Sequence, residues 1–217
     1  MPAAKRLFSK TLTLSDITCQ RGGRVLFQNF SLDAPAGTVV RLTGHNGAGK
    51  SSLLRQVAKA LPVIQGRILW DDVDISEIEA ENYAGNYAFL PADDRDLKLL
   101  ETAMENLLFW AALWKIKTPQ AAAQQALSAI GLSNLADVPV RIFSAGQKRR
   151  LSIARVLMKQ SALWLLDEPF NALDDVAAAQ LATAIQAHAV SGGIVLMAAH
   201  HAPDMERSLT LRMGAAA

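Results

Sequence analysis

The chain has 217 residues, 51% of them hydrophobic, and a formal net charge of +2, which suits one compact unit and excludes a strong general field for nucleic acid. A single cysteine, Cys19, excludes an internal disulfide. No run approaches the roughly 18 apolar residues of a membrane span, and the basic start lacks the apolar core of a secretory leader, so a soluble chain in a reducing compartment is expected.

In chain order, Leu12 to about Asp33 alternates between apolar and polar residues around Gly22-Gly23 and predicts short antiparallel strands. Thr38 to Thr43 predicts a buried strand, and Lys50 to about Ala60 has the leucine and valine spacing of an amphipathic helix closed by Pro62. Between them, Gly44-His45-Asn46-Gly47-Ala48-Gly49-Lys50-Ser51 matches the phosphate-binding pattern Gly-x-x-x-x-Gly-Lys-Ser/Thr. Glycines let such a loop curl around phosphates and aim backbone N–H groups inward, at the positive end of the helix that follows. Lys50 then reaches the β- and γ-phosphates, and the Ser51 hydroxyl ligates Mg²⁺.

Gly66 to Trp70 and Asn86 to Leu90 read as further strands, with polar surface from Asp71 to Ala84. Glu101 to Lys115 and Pro119 to Ile130 are rich in alanine and leucine at helical spacing and end at Gly131, which predicts a helical insert. A helix from Ser144 to Lys159, a strand at Ala162 to Leu166, a helix from about Asp175 to Ala189 and a last buried strand at Ile194 to Ala198 complete the pattern. The basic trio Lys148-Arg149-Arg150 reads as a solvated helix face. Strand and helix alternation on both sides of the insert predicts an α/β fold with a helical lobe.

The apolar strand before Asp167-Glu168-Pro169 delivers Asp167 at its carboxyl end, where it can hold Mg²⁺ beside Ser51. Glu168 follows, placed to orient and deprotonate an attacking water; the plain alternative is a solvated acidic turn before a proline. Ser144 is a good N-cap, and Ala145 and Gly146 leave that helix start open to an anion.

With Ser144-Ala145-Gly146-Gln147, Asn171-Ala172-Leu173-Asp174 and His200 in this order, the chain resembles the nucleotide-binding subunits of ATP-binding cassette (ABC) transporters. The resemblance implies a P-loop NTPase core with an antiparallel β subdomain and an inserted α-helical subdomain. It divides one domain, 1–217, into 1–90 and 162–217 as core plus β subdomain and about 91–160 as helical subdomain. It also implies ATP and Mg²⁺ as ligands, with Gly44 to Ser51 and Ser52 around the phosphates and Ser51 and Asp167 on the metal. Lys50, Glu168 and His200 are the implied catalytic set, His201 being the competitor of His200. Two protomers pack head to tail, so that Ser144, Ala145, Gly146 and Gln147 of one copy close the ATP site of the other. Asp174 becomes a dimer contact, with N-capping of the next helix as its alternative role.

Two positions depart from the family. No aromatic residue precedes the second strand to stack on adenine, which leaves Arg21 to stack through its guanidinium or the base loosely held. No glutamine follows the strand at Ala88 to Leu90; Pro91-Ala92-Asp93-Asp94 stands there, with Asp93 or Asp94 as substitutes.

Several phrases, among them Arg24-Val25-Leu26-Phe27 and Phe143 to Arg150, are similar to the ATP-binding subunits of bacterial cytochrome c maturation systems. That similarity implies a homodimer on integral membrane permease subunits, peripheral at the cytoplasmic face of the inner membrane, driving haem-related transport. The alternatives are an ATPase for another transported substrate or a soluble ABC ATPase acting on nucleic acid, and the near-neutral charge favours no nucleic-acid partner.

Overall fold

A computed structural model describes residues 7–203, 205 and 208–214; the basic start through residue 6 lies outside the described residues. Strands β1 (Leu12–Arg21) and β2 (Arg24–Ala34) form the first hairpin, turning through Gly22 and Gly23 at φ 56° and 77°. Two successive positive φ values suit a hairpin twist, and glycine adopts them without Cβ strain. Strands β4 (Gln65–Trp70) and β5 (Val73–Asp74) extend this antiparallel sheet in the order β2-β1-β4-β5.

The second sheet is parallel and runs β6-β7-β8-β3-β9, from β3 (Val39–Thr43), β6 (Tyr87–Leu90), β7 (Leu163–Asp167), β8 (Ile194–Ala198) and β9 (Ser208–Arg212). Its central strands β7 and β8 are buried at every residue, as expected for strands covered on both faces. Successive side chains point to opposite faces and so feed two cores. Leu163, Leu165, Ile194 and Leu196 pack with the antiparallel sheet and helix α1 (Lys50–Val57). Trp164, Leu166, Val195 and Met197 pack beneath α3 (Ala103–Leu113), α4 (Pro119–Ala129), α5 (Ala145–Met158) and α6 (Asp175–Val190). A short α2 (Ala80–Ala84) precedes β6.

The sequence pattern misses three features. Ile194–Ala198 is not the last strand: β9 pairs in parallel with β3 at the sheet edge. The segment 71–84 is not all surface, because Ile75 and Tyr83 are buried and the Tyr83 hydroxyl donates to the Val57 carbonyl at 2.8 Å. The basic trio is not a solvated face, since Arg149 is 2% exposed.

His188 lies buried with its ring stacked on Trp164, 4.0 Å between centroids and 4° between planes. Burial pulls its pKa from 6.5 to about 4. The unfolded chain therefore binds the extra proton first, and stability falls as pH drops from about 6.5 to about 4. The loss amounts to about 3 kcal/mol across that window. Thermal denaturation against pH should show this acid limb, and His188→Phe should flatten it.

A phosphate loop beside an acidic strand end

The carboxyl ends of β3, β7 and β8 are adjacent in the sheet, Leu42 pairing with Ala198 and Asp167 with Ala198. The crevice outside such strand ends is where parallel sheets present loop residues to ligands. The loop after β3 bends through Gly44, Gly47 and Gly49 at φ 141°, 85° and 95°. Gly49 leads into α1 without a side-chain cap, and no acidic residue occupies the first turn, which leaves the N–H groups of that helix end open to an anion. A Cβ on Gly49 would meet the Phe27 ring at 2.6 Å.

Within this bend His45 and Asn46 are exposed, Ala48 is buried, and Lys50 is 6% exposed. The Lys50 ammonium donates to the carbonyls of Gly44 and His45 at 2.9 and 3.2 Å and lies 3.3 Å from His200 Nε2. Ser52 is buried behind it. The Ser51 hydroxyl donates to Asp167 Oδ1 at 2.8 Å, joining the loop to the end of β7.

Asp167 is 1% exposed and its Oδ2 has no hydrogen-bond partner. Burial, helped by the neighbouring Glu168 charge and opposed by the Ser51 hydrogen bond, holds its carboxyl above the usual carboxylate range. Glu168 adopts φ 47°, a strained value for a glutamate, and its N–H donates to the Ala198 carbonyl at 2.8 Å. This turn brings Glu168 Oε1 to 3.5 Å from His200 Nε2. His201 is exposed and has no such contact with Glu168 or Lys50.

At the start of α5, Ser144 Oγ accepts from the Gln147 N–H at 3.2 Å while Gln147 Oε1 accepts from the Ser144 N–H at 2.9 Å. This reciprocal cap is exposed at Ser144 and Ala145, apart from the Lys50 cluster. A Cβ on Gly146 would meet the Ala172 carbonyl at 2.8 Å, so a glycine lets this helix start approach the turn after Glu168. Asp174 is exposed and N-caps α6, its Oδ1 accepting from the Ala177 N–H at 2.8 Å.

Residues 27–171, from the first hairpin through the turn after Glu168, match the ABC transporter family. The chain belongs to the ABC transporter family. The cytochrome c biogenesis ATP-binding export protein CcmA of Rhodopseudomonas palustris is 41% identical over 209 residues, 95% of this chain and 99% of that protein. Its counterpart from Nitrosococcus oceani is 37% identical over 204 residues, 94% of this chain and 92% of that one. In fold, this chain superposes with a TM-score of 0.81 on a bacterial Atm1-family ABC exporter with ATP bound, at 22% identity, over 98% of this chain and 40% of the exporter chain. This ABC subunit binds ATP, and hydrolysis is its activity. No helix among its described residues is long and apolar enough to cross a membrane.

In this ABC ATPase Arg21 is exposed at the hairpin tip. A cavity of about 720 Å³ beside the phosphate loop is lined by Arg24, Leu26, Phe27, His45, Gly47 and Arg212, among others. Of the acidic pair after β6, Asp93 is exposed and pairs with Arg95 at 3.1 Å, whereas Asp94 lies 3.3 Å from the Arg149 guanidinium.

The donor set fits a divalent cation. A buried carboxylate with one unpartnered oxygen stands beside a serine hydroxyl, and hard oxygen donors of this kind suit Mg²⁺. Two arginines missed by sequence reasoning also support the site. Arg41 on β3 donates to the His200 carbonyl at 2.6 Å and to the Ala199 carbonyl at 3.3 Å, tethering the backbone of His200. Arg149 donates to the carbonyls of Asp167 and Glu168, both at 2.7 Å. A charged residue inside the apolar β3 pattern was the one available signal for Arg41.

Proposed function

We propose that this chain is the ATP-hydrolysing subunit of a transporter complex serving cytochrome c maturation and haem export. It works as a homodimer across two ATP sites, docked on integral membrane permease subunits at the cytoplasmic face of the inner membrane. The observation that carries the hydrolytic reading is the joining of Ser51 to a buried Asp167 with a free carboxylate oxygen, beside Glu168, His200 and Lys50. The maturation reading rests on the relatives' likeness over nearly the whole chain.

Ser51 and Asp167 would hold Mg²⁺, which when bound would neutralise charge on the transferring phosphate. Gly44 to Ser52 cradle the phosphates, and the Lys50 ammonium exchanges its loop carbonyls for β- and γ-phosphate oxygens. Glu168 accepts a proton from the attacking water, and His200, between Lys50 and Glu168, orients both. The exposed cap at Ser144 to Gln147 belongs to the ATP site of a second copy, where the open helix start faces the γ-phosphate. Asp174, at the same edge, joins that dimer contact. The single domain then has its helical lobe at about 91–160, and exposed Phe109 and Leu113 on α3 give that lobe an apolar surface for a membrane partner.

Recovery of the membrane complex through this subunit tests the assignment. Membrane proteins that handle haem are expected in the recovered complex, and a sugar or amino-acid permease in their place contradicts the maturation reading.

A further inference from the structure

Arg149 sits in α5 with its guanidinium almost fully buried, a costly position for a fixed charge unless its donors are matched. The two terminal nitrogens are matched, one on each side, while Nε has no partner. One nitrogen, Nη2, donates to the carbonyls of Asp167 and Glu168, both at 2.7 Å. The other, Nη1, donates to the Pro91 carbonyl at 2.7 Å and to Asp94 Oδ1 at 3.3 Å. A planar fork thus spans from the carboxyl end of β7 to the loop that follows β6. Lysine cannot reproduce this, because it offers a single compact ammonium without the fixed fork.

The residue so held is the strained one. Three hydrogen bonds hold the left-handed Glu168 backbone: its N–H donates to the Ala198 carbonyl, and its carbonyl accepts from the Arg149 guanidinium at 2.7 Å and from the Asn171 N–H at 3.2 Å. Rotation of that peptide would carry the Glu168 carboxylate away from His200. The loop on the far side is anchored to the same helix a second time, since Arg155 pairs with Asp96 and donates to the Phe89 carbonyl at 3.3 Å. The loop is also open to the outside: Asp93 and Arg95 are exposed, and Trp110 stacks on Arg155 with the guanidinium 4.7 Å from the ring centroid.

We infer that Arg149 is a positioning residue for Glu168, and that with Asp94 it couples the loop at 91–96 to the geometry of the hydrolytic turn. The inference rests on Glu168 being the hydrolytic base. A partner that shifts this loop by part of an ångström moves the guanidinium, and with it the carbonyls that fix the Glu168 backbone. None of the Arg149 acceptors belongs to the loop at 44–51, so that loop keeps its own contacts.

The test is steady-state turnover and ATP affinity of the whole protein for wild type, Arg149→Lys, Asp94→Asn, Glu168→Gln and the double variant Arg149→Lys/Glu168→Gln. Arg149→Lys should lower kcat about 10- to 100-fold through misplacement of the base. Its ATP Kd should stay within about threefold of wild type. Asp94→Asn should shift in the same direction by less. The double variant should turn over no more slowly than Glu168→Gln alone, because the arginine acts through that side chain. Losses that multiply in the double variant, or wild-type kcat in Arg149→Lys, overturn the inference. If Arg149→Lys does not fold, Asp94→Asn decides by the same split: reduced kcat with unchanged Kd supports the coupling, and unchanged kcat overturns it. Failure of the underlying reading shows separately, as wild-type turnover in Glu168→Gln.

Discussion

Glu168→Gln should lower ATP turnover by about 10²- to 10⁴-fold, the usual contribution of a positioned general base. The amide keeps the size and hydrogen-bonding capacity of the side chain, so the left-handed turn and its bonds to Ala198 and Arg149 remain. What it loses is the capacity to accept a proton from water, along with the negative charge 3.5 Å from His200 Nε2. ATP binding should survive, because Lys50, Ser51 and Asp167 are untouched. A phosphate-release assay alongside equilibrium binding of a fluorescent ATP analogue checks both halves. Turnover within a few-fold of wild type would remove Glu168 from its role.

Lys50→Met should act at the earlier step and weaken ATP binding about 10- to 100-fold, the scale of one or two charge-assisted hydrogen bonds lost from a buried site. The ammonium is poised in the loop by two backbone carbonyls and is nearly inaccessible to solvent, so a triphosphate entering the bend meets a desolvated positive charge. Methionine keeps most of the stem packing and none of the charge, and the fold should persist by circular dichroism. The same titration reads the loss. Unchanged affinity would mean that the loop does not grip the phosphates.

The two variants separate binding from chemistry, and the residues behind them differ in how openly the sequence displays them. The phosphate loop lies between an apolar strand and an amphipathic helix, so local pattern alone fixes its surroundings. Asp167 was legible for the same reason, since four consecutive apolar residues from Leu163 can only be a covered strand, and the residue after them stands at its end. The contact of Ser51 with Asp167 spans 116 positions and is visible only in the sheet order that puts β7 near β3.

Arg149 was misread because a basic trio on a helix looks alike whether its middle member faces water or a cluster of carbonyls. The acceptors are backbone oxygens, which carry no sequence signature. Strand β9 escaped for a different reason: at a sheet edge it is mostly exposed, and its short Ser-Leu-Thr-Leu-Arg alternation has neither the length nor the burial of β7 and β8. Arg21 was chosen from its place before the second strand; the hairpin turning at Gly22 and Gly23 sets that side chain at an exposed tip, and Arg24 and Phe27 line the cavity.

The proposed completion of each ATP site by a second copy is tested by the mass of the Glu168→Gln protein in solution with ATP and Mg²⁺. Light scattering during gel filtration should give twice the mass of one chain with ATP and the mass of one chain without it. Ser144→Arg, which fills the exposed cap at the start of α5, should abolish the doubling while leaving ATP bound. A protein that stays monomeric with ATP bound, or a dimer indifferent to both ATP and Ser144→Arg, would contradict the composite site.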